Sequence, residues 1–395
     1  MSGGLSGICG VGDSYGNFEI FVRKLRAGFP FCGGYAIIGQ MRTDGRKQME
    51  TKIVKIRPEG TEFSPEEDAG LRQAGRIIKE GGLVAFPTET VYGLGGDALN
   101  RESSRKIYAA KGRPSDNPLI IHICQFEDIR KIVSDLPEAA KKAADAFWPG
   151  PLTMILPKSE IVPYETTGGL DTVAVRFPVH PVANELIELA GVPIAAPSAN
   201  TSGKPSPTSA DHVFHDMKGK IPLIIDGGQS DVGVESTVIS MVCDPPRLLR
   251  PGGVTVEQIE RVIGKIEVDP SVGHNIQVEK ASSPGMKYKH YSPSCKVILI
   301  HGDGDKFADF VNQNAKDGDA AICFEEDKDL LSVPTISLGP KGDERAHAHR
   351  LFSALRKADD GNYQTVFAHC PPENGVGLAV FNRLVRAAGF DERRL

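Results

Sequence analysis

Residues 81–94 read Gly-Gly-Leu-Val-Ala-Phe-Pro-Thr-Glu-Thr-Val-Tyr-Gly-Leu. The apolar run at residues 83–86 is bounded by glycines and a proline, which is typical of a buried strand that ends at a polar turn. A helix is predicted just before it, over residues 65–80, because Ser64 can cap its first turn and Pro65 suits its first position. Helix, buried strand and polar turn in this order indicate an α/β domain.

The same alternation continues to about residue 266. Further helices are predicted over residues 102–110 and 137–147. Further strands are predicted at residues 49–56, 119–123, 152–156, 172–177, 194–196, 223–226 and 236–240. Because helices and strands alternate along this stretch, residues 49–266 are predicted to form one α/β domain.

The pattern starts again at Cys295. Strands are predicted at residues 296–300, 320–324, 335–338 and 365–368, and helices at residues 307–314, 346–358 and 377–388. Such alternation predicts a small Rossmann-like, doubly wound domain over residues 295–395. Residues 267–294 are expected to be a linker, although residues 286–293 interleave aromatic and cationic side chains, whereas a purely flexible tether favours Gly and Ser.

The first 48 residues differ from the rest. They are rich in glycine, show no sustained period and precede Met49, where a strand-like segment begins. We interpret residues 1–48 as an extension of the folded chain, either a disordered arm or an over-extended gene start. N-terminal sequencing of the native protein distinguishes these alternatives.

Composition narrows the class of protein. Hydrophobic residues make up 40% and charged residues 25% of the 395 residues, which is typical of a soluble globular protein. No apolar run reaches the length of about 18 residues that spans a bilayer. A net charge of −5 disfavours non-specific nucleic-acid binding, although a local basic cleft remains compatible with it. The seven cysteines form no zinc-type pairs, so reduced thiols and a cytoplasmic location are expected.

Two short motifs resemble nucleotide-binding loops but lack their context. Residues 93–98 match G-x-G-x-x-A, but six residues separate Phe86 from Gly93, whereas the dinucleotide motif begins directly after its strand. Residues 202–206 contain Ser-Gly-Lys without the rest of a P-loop, and Pro205 removes a backbone donor. Neither motif is therefore assigned a function.

Four segments concentrate polar and cationic side chains where regular structure stops. They are residues 87–94, 111–122, 197–208, and Ser236-Thr237 together with residues 249–252. Because ligands of α/β sheets collect at loops beyond strand ends, these segments are expected to share one cleft. Its cations are expected to be Lys111, Arg113, Arg176 and Arg250. Several cations beside hydroxyl and amide groups suit a polyphosphate.

Two residue pairs within these segments share a spacing of two. Lys111 and Arg113, and likewise Ser198 and Asn200, project to one side of an extended chain. Taken alone, any of these side chains is more often a surface charge or part of a capped turn. The functional interpretation depends on all four segments occurring together.

These segments resemble the signature blocks of the YrdC-like family. The resemblance lies in Pro-Thr-Glu-Thr-Val-Tyr-Gly-Leu, in Lys-Gly-Arg-Pro with Asn-Pro-Leu, and in Ser-Ala-Asn with Ser-Gly and Ser-Pro-Thr, in the same order over about residues 50–265. Residues 284–293 and 371–384 resemble the linker and tail of the longer, two-domain members. The resemblance implies a twisted open-sheet domain, a linker and a small Rossmann-like domain.

The resemblance also implies an activity and a set of site residues. L-threonine, bicarbonate and ATP would give threonylcarbamoyl-AMP and pyrophosphate, a nucleotidyl transfer that starts threonylcarbamoyladenosine formation at position 37 of tRNAs reading ANN codons. The residues implied to hold L-threonine are Thr90, His122, Arg176, Ala196 and Ser236. The residues implied to hold ATP are Arg113, Asn117, Thr172, Ser198, Asn200, Ser206, Arg250 and Tyr291. Lys111 and Arg113 are the expected catalytic pair.

The chemistry expected from this resemblance needs no enzymic nucleophile. Lys111 and Arg113 would stabilise developing phosphate charge, and Mg²⁺ would bridge phosphate oxygens without a dedicated metal site on the protein. The linker with Tyr291 would close over the nucleotide and shield a labile product from water. A separate transferase complex would receive that product, and neither stable nucleic-acid binding nor membrane association is expected.

Two alternatives remain open at this stage. The first domain could bind RNA without catalysis, although an RNA reader would be expected to place stacking aromatics beside its cations. Aromatic residues make up only 7% of the chain. The related carbamoyl transfer of hydrogenase maturation would be expected to bring zinc-type cysteine pairs and an acylphosphatase-like domain, which the sequence does not display.

Overall fold

The computed structural model describes residues 49–58, 60, 62–274 and 290–395. The predicted extension over residues 1–48 and most of the predicted linker, residues 275–289, lie outside the described residues. Gln48–Leu395 form one compact unit that includes both sheets of the chain. In the part of the chain that is described, none of the helices is long and apolar enough to cross a membrane.

The first sheet contains eleven strands, paired in the order β1-β8-β2-β3-β7-β4-β6-β5-β9-β10-β11. In chain order these are β1 (Lys52–Lys55), β2 (Val84–Phe86), β3 (Gly93–Asp97), β4 (Ile120–His122), β5 (Leu152–Pro157), β6 (Thr172–Arg176), β7 (Ile194–Ala195), β8 (Leu223–Asp226), β9 (Thr237–Ser240), β10 (Arg247–Arg250) and β11 (Glu267–Val268). Parallel and antiparallel pairings alternate irregularly, as in a mixed open sheet.

Eight helices accompany this sheet in the described chain. They are α1 (Pro65–Lys79), α2 (Arg101–Lys111), α3 (Ile129–Ile132), α4 (Glu138–Phe147), α5 (Tyr164–Thr167), α6 (Pro181–Ala190), α7 (Ala210–Met217) and α8 (Val256–Ile263). The predicted cap of α1 is confirmed, since Ser64 Oγ accepts a hydrogen bond from the Glu67 amide and the Glu67 carboxylate accepts one from the Ser64 amide. These paired bonds satisfy two amides that the helix itself leaves free.

Strand β3 was not predicted, because its sequence Gly-Leu-Gly-Gly-Asp has low β-propensity. The neighbouring strands require its glycines. A Cβ atom at Gly95 would lie 2.8 Å from both Ile194 Cγ2 and Phe86 Cε1, closer than packed carbon atoms approach. The sheet also continues two residues beyond the predicted domain boundary, because β11 pairs with β10.

The second sheet has five strands, in the order β14-β13-β15-β12-β16, and all its pairings are parallel. Its strands are β12 (Lys296–His301), β13 (Ala320–Cys323), β14 (Thr335–Ser337), β15 (Thr365–His369) and β16 (Glu392–Arg394), and its helices are α9 (Gly304–Asn314), α10 (Glu344–Asp360) and α11 (Gly377–Ala387). Leu299 packs on the side of α10 and α11, whereas the next residue, Ile300, packs with Phe307 of α9. Helices on both faces confirm the predicted doubly wound domain.

The two domains share one hydrophobic cluster. Val91 and Val234 of the first domain and Tyr291 of the linker belong to the same buried cluster as Leu351 and Phe352 of α10. At this junction the backbone of Gly233 approaches helix α10 so closely that a Cβ atom there would overlap the backbone of His349. The second domain therefore packs directly on the loops that follow the strands of the first.

Candidate active site

The four polar segments singled out in the sequence lie side by side. The Ala199 amide donates to the Tyr92 carbonyl and the Ser202 amide to the Lys111 carbonyl, both across 2.8 Å. Within the fourth segment, Arg250 Nε donates to the Ser236 carbonyl across 3.1 Å, and both residues line the same cavity as the other three segments. Between the segments lies a cavity that encloses about 700 Å³ of empty space, including its mouth.

Most of the predicted site residues line this cavity. They are Thr90, Lys111, Arg113, His122, Arg176, Ala196, Ser198, Asn200, Ser206, Ser236, Arg250 and Tyr291. Asn117 and Thr172 are not among the lining residues. Thr172 begins β6 on the same sheet face as Arg176 but at the opposite end of the strand. The structure therefore brings together most of the predicted site and leaves Thr172 apart.

Lys111 ends helix α2 and turns its side chain into the protein. Its Nζ donates to the carbonyl oxygens of Ser198 and Asn200, the latter across 2.6 Å, and contacts Asn200 Oδ1 at 3.2 Å. The residue is only 1% exposed. Burial, and secondarily the nearby charge of Arg113, lowers the pKa of Lys111 well below its ordinary value. Lys111, Ser198 and Asn200, which were predicted to share one cleft, are therefore in direct contact.

Arg113 is held by the loop that follows α2. Gly112 takes the left-handed conformation at the helix end, with φ of 63°, which glycine adopts without strain. Arg113 NH2 then donates to Asn117 Oδ1 across 2.6 Å and to the Pro118 carbonyl across 3.0 Å, while Nε donates to the Asn117 carbonyl across 3.1 Å. Burial, together with the charge of Arg250, lowers the pKa of Arg113 to about 10. Asn117 therefore orients this cation from behind the cavity.

Arg250 approaches the cavity from the end of β10. Besides the Ser236 carbonyl, it contacts Ser236 Oγ at 3.2 Å, and that hydroxyl lies 2.7 Å from Thr153 Oγ1. Burial lowers the pKa of Arg250, although Tyr291 and Glu235 oppose this shift. The charge of Arg250 lowers the pKa of Arg113, and the charges of Arg383 and Arg176 lower the pKa of Arg250, which indicates that like charges converge on this cavity.

Arg176 marks a different part of the cavity. Its NH1 donates to Thr90 Oγ1 across 2.8 Å, and its NH2 lies 2.7 Å from Glu89 Oε1 without the alignment of a hydrogen bond. Both Nε and NH2 are buried without a hydrogen-bond partner among the described residues. Because Nε has no partner and NH2 is held only by the ion pair with Glu89, this guanidinium edge can accept a carboxylate ligand in bidentate geometry, and that ligand would compete with Glu89 for NH2. This end of the cavity is therefore suited to an amino-acid carboxylate.

His122 lies beside Arg176 at the end of β4. Its Nδ1 is 3.1 Å from the Ile120 carbonyl, which favours a proton on Nδ1, and the Ile194 carbonyl is a second acceptor near the ring. Burial, and then the charge of Arg176, lowers the pKa of His122 to about 3. The imidazole is therefore neutral near pH 7 and can offer Nε2 as an acceptor.

The described end of the linker lies across the cavity. His290 and Tyr291 line it, and the Ser292 amide donates to the Gly203 carbonyl across 2.9 Å. The Tyr291 ring packs against Phe352 of α10 with 5.4 Å between ring centroids. Tyr291 thus joins the cavity to the second domain.

Sequence reasoning missed several cavity residues. Glu235, Lys204 and His290 line the cavity but were not assigned to it. Glu235 directly precedes the predicted Ser236, and Lys204 and His290 lie inside segments already singled out, so proximity in sequence was the available signal. Arg383, which contacts Glu235 at 3.0 Å, is 148 residues away and offered no such signal.

Comparison with known proteins relates both domains to known families. The family model described as "Telomere recombination" matches residues 76–252, and the model described as "Threonylcarbamoyl-AMP synthase, C-terminal domain" matches residues 254–389. The threonylcarbamoyl-AMP synthase of Pyrococcus abyssi is 51% identical over 332 residues, covering 82% of this chain and 95% of the relative. That of Bacillus subtilis is 47% identical over 326 residues, covering 82% and 94%.

A solved structure agrees in fold as well as sequence. The crystal structure of P. abyssi Sua5 complexed with L-threonine superposes with a TM-score of 0.79 at 46% identity, covering 87% of this chain and 99% of that one. Fold and cavity thus define a two-domain α/β enzyme of the nucleotidyltransferase class with a YrdC-like first domain. The chain belongs to the threonylcarbamoyl-AMP synthase family.

Proposed function

We propose that this enzyme makes threonylcarbamoyl-AMP and pyrophosphate from L-threonine, bicarbonate and ATP. The observation that best supports this is the division of one cavity into two chemically different ends. Lys111, Arg113 and Arg250 supply buried cationic groups at one end. At the other, Arg176 supplies a guanidinium edge whose Nε has no partner and whose NH2 is paired only with Glu89. The first end suits a polyphosphate and the second an amino-acid carboxylate.

Each substrate can be assigned contacts with residues of the cavity. The threonine carboxylate would pair with Nε and NH2 of Arg176, beside Thr90 and the neutral His122. The nucleotide phosphates would lie against Arg113 and Lys111. The L-threonine bound to the P. abyssi relative, which shares 46% of its sequence with this chain, supports this assignment. Ser236 and Ala196 line the same cavity and would complete the threonine end.

The reaction would proceed by positioning and charge stabilisation. The threonine amine and bicarbonate combine to give N-carboxythreonine and water. A carboxylate oxygen of this intermediate then attacks the α-phosphorus of ATP, and the bond to the β-phosphate oxygen breaks to release pyrophosphate. Lys111 and Arg113 would stabilise the charge that develops on the phosphate oxygens, since no carboxylate of the described residues neutralises either cation within ion-pair distance.

Mg²⁺ would enter with ATP. Glu235 is the acidic residue among those that line the cavity, and its two carboxylate oxygens accept hydrogen bonds from Ser206 and Arg383. The side chains present therefore suit a cation held through phosphate oxygens and water, which is how Mg²⁺ often binds with nucleotides. When bound, Mg²⁺ would neutralise phosphate charge.

The reactivity of the product suits an intermediate that a second enzyme uses for tRNA modification. A mixed anhydride of a carbamate and AMP is reactive, so a second enzyme must consume it by carbamoyl transfer. We propose that a cytoplasmic transferase complex uses it to modify position 37 of tRNAs reading ANN codons. A role limited to RNA binding does not account for this burial, because Lys111 and Arg250 are 1% and 7% exposed and line the cavity rather than an outer surface.

The test is pyrophosphate release from ATP with the full chain. Release that requires both L-threonine and bicarbonate is expected, together with an AMP adduct whose mass equals that of threonylcarbamoyl-AMP. L-Serine in place of threonine is the matched substrate control and should support a lower kcat/KM. Release that is independent of threonine and bicarbonate would overturn the proposal.

A further inference from the structure

Helix α11 of the second domain inserts one arginine into the wall of the cavity. Arg383 is fully buried, and its Nε donates to Glu235 Oε2 across 3.0 Å. Its NH2 lies 3.4 Å from the Glu235 carbonyl, and its NH1 donates to the Pro251 carbonyl. A side chain from the second domain is thus bonded to two separate segments of the first.

Each of these segments is linked to a predicted ATP-binding residue. The second carboxylate oxygen of Glu235 accepts a hydrogen bond from Ser206 Oγ across 2.6 Å. Pro251 directly follows Arg250, whose Nε is bonded to the Ser236 carbonyl. Arg383 therefore fixes the distance between Ser206 on one wall and Arg250 on the other.

The ionisation state of Glu235 determines whether the Ser206 hydroxyl donates or accepts a hydrogen bond in the cavity. Burial alone would raise the pKa of Glu235, but the charges of Arg383 and Arg250 and the Ser206 hydroxyl together hold it below its ordinary value. An ionised carboxylate accepts hydrogen bonds only, so the Ser206 proton points at Glu235. The Ser206 oxygen then faces the cavity as an acceptor, which suits a ribose hydroxyl or an adenine amino group rather than a phosphate oxygen.

Two neighbouring arginines of the second domain make a different kind of contact. Arg386 on the same helix donates to the Ser271 carbonyl of the linker across 2.7 Å. Arg356 of α10 pairs with Asp216 at 3.1 Å and donates to the Pro205 carbonyl, next to Ser206, across 2.6 Å, but it bonds no side chain that lines the cavity. Ser271 and Asp216 are not among the cavity-lining residues. Arg383 differs because its partner Glu235 is itself part of the cavity wall.

We propose that Arg383 is a positioning residue supplied by the second domain, which holds Glu235 so that Ser206 accepts a hydrogen bond from the nucleotide and Arg250 stays directed at it. The inference rests on the proposed function of the cavity. It also gives the second domain a defined contribution to nucleotide binding. Without Arg383, the buried Glu235 would recruit Arg250, whose charge already lowers the pKa of Glu235, and remove that cation from the nucleotide.

The experiment measures ATP and L-threonine affinities of the full chain by calorimetry. Arg383→Met should weaken ATP binding at least about tenfold, on the scale of truncating one partner of a buried charge pair, and leave threonine binding unchanged. Arg386→Met, which changes the same helix and removes a bond to a carbonyl outside the cavity, should retain wild-type ATP affinity.

Two further readouts separate positioning from general loss of structure. In Arg383→Met, ATP affinity should fall further as pH rises from about 6 to 8, because ionised Glu235 then competes for Arg250. Wild-type protein measured in parallel corrects for the ionisation of ATP itself. Adding Glu235→Gln to Arg383→Met should restore ATP affinity, because the unpaired charge is removed.

Three results would overturn the proposal. They are unchanged ATP affinity in Arg383→Met, an equal loss of threonine and ATP affinity, and a double variant no better than the single one. If Arg383→Met does not fold, Arg383→Lys keeps a charge beside Glu235 but not the forked contact to Glu235 and the Pro251 carbonyl, so it should weaken ATP binding by a smaller factor, and unchanged ATP affinity in that variant would overturn the proposal. Failure of the proposed function is separate, because it would appear as wild-type protein that binds neither ligand.

Discussion

The Arg113 guanidinium donates to the Asn117 side-chain oxygen across 2.6 Å, so the loop that follows α2 orients its own cation. Asn117 also presents its backbone carbonyl to Arg113 Nε. An amide and a carbonyl orient the guanidinium without neutralising it. The arrangement therefore keeps the full charge of Arg113 available to a ligand.

Replacement of Arg113 by alanine should lower the rate of pyrophosphate release at least about 100-fold, the scale of losing one key electrostatic donor. Asn117→Ala should lower it about tenfold, because Arg113 remains but is no longer directed at the cavity. Steady-state kinetics measure both effects. Asn100→Ala, which removes the side-chain cap of α2, is the control and should retain wild-type kcat. An Arg113→Ala variant with wild-type turnover would refute the role of this residue.

Replacement of Arg176 by lysine should weaken L-threonine binding at least about tenfold, because an ammonium group cannot make the paired bonds of a guanidinium. Calorimetric titration with threonine measures the effect, and ATP affinity should not change. Arg247→Lys, at an exposed ion pair with Glu267 outside the cavity, is the matched control. Equal threonine affinity in Arg176→Lys and wild-type protein would exclude Arg176 as the carboxylate partner.

Removal of the Tyr291 side chain should uncouple ATP use from product formation. Tyr291→Ala opens the side of the cavity that faces Phe352, so water reaches the labile product. The ratio of pyrophosphate released to intact threonylcarbamoyl-AMP should rise. Tyr291→Phe retains the ring and should keep the wild-type ratio. If both variants keep that ratio, Tyr291 does not shield the product.

Gly233→Ala should destabilise the chain by at least about 2 kcal/mol, because the residue has φ of 79° and its new Cβ would overlap the His349 backbone. Gly191→Ala is the matched control, since Gly191 has φ of 65° but open space around it. That variant should lose only about 1 kcal/mol, from backbone strain alone. Urea unfolding followed by fluorescence measures both. If both variants lose the same free energy of unfolding, the contact between Gly233 and helix α10 can move to accommodate the new Cβ atom.

The stability of the protein should depend on pH through His122. Because the folded state holds the pKa of His122 at about 3, the unfolded state takes up a proton first as pH falls through about 6.5. The contribution of neutral, buried His122 to the free energy of unfolding is fully present above about pH 6.5. It is lost by about 1.4 kcal/mol per pH unit as the pH falls from there towards 3.

His122→Gln should reduce the slope of unfolding free energy against pH between about pH 6 and pH 5, above the range in which carboxylates titrate. His274→Gln replaces an exposed imidazole and should keep the wild-type slope. Urea unfolding at a series of pH values gives the slopes. Identical slopes in wild-type and His122→Gln proteins would contradict the burial argument.

Much of the cavity could be predicted because its residues are grouped in short segments. Lys111 and Arg113 lie two residues apart, as do Ser198 and Asn200, so local sequence grouped them. The expected extended chain between Lys111 and Arg113 was wrong, because Lys111 ends helix α2 and Gly112 is left-handed. The partners from other segments could not be predicted. Arg383 meets Glu235 only after both sheets have formed and packed, and nothing near either residue in sequence indicates the other.

The elements of the fold likewise divide into those that local sequence predicts and those that depend on distant residues. Helix α1 was predicted from its cap and its first proline, which are local signals. Strand β3 was not, because its glycines are selected by the close approach of Phe86 and Ile194, a tertiary constraint that overrides local β-propensity. Local chemistry thus identified elements that begin with a cap, whereas elements formed by close packing required the structure.

The hydrophobic cluster that joins Val91, Val234 and Tyr291 to the second domain has a thermodynamic consequence. Neither domain can unfold without exposing apolar surface of the other, so partial unfolding is penalised. Heating should therefore give one endotherm whose calorimetric and van 't Hoff enthalpies agree, as for a single cooperative unit. A ligand that binds in the cavity of the first domain would then raise the melting temperature of the whole folded chain.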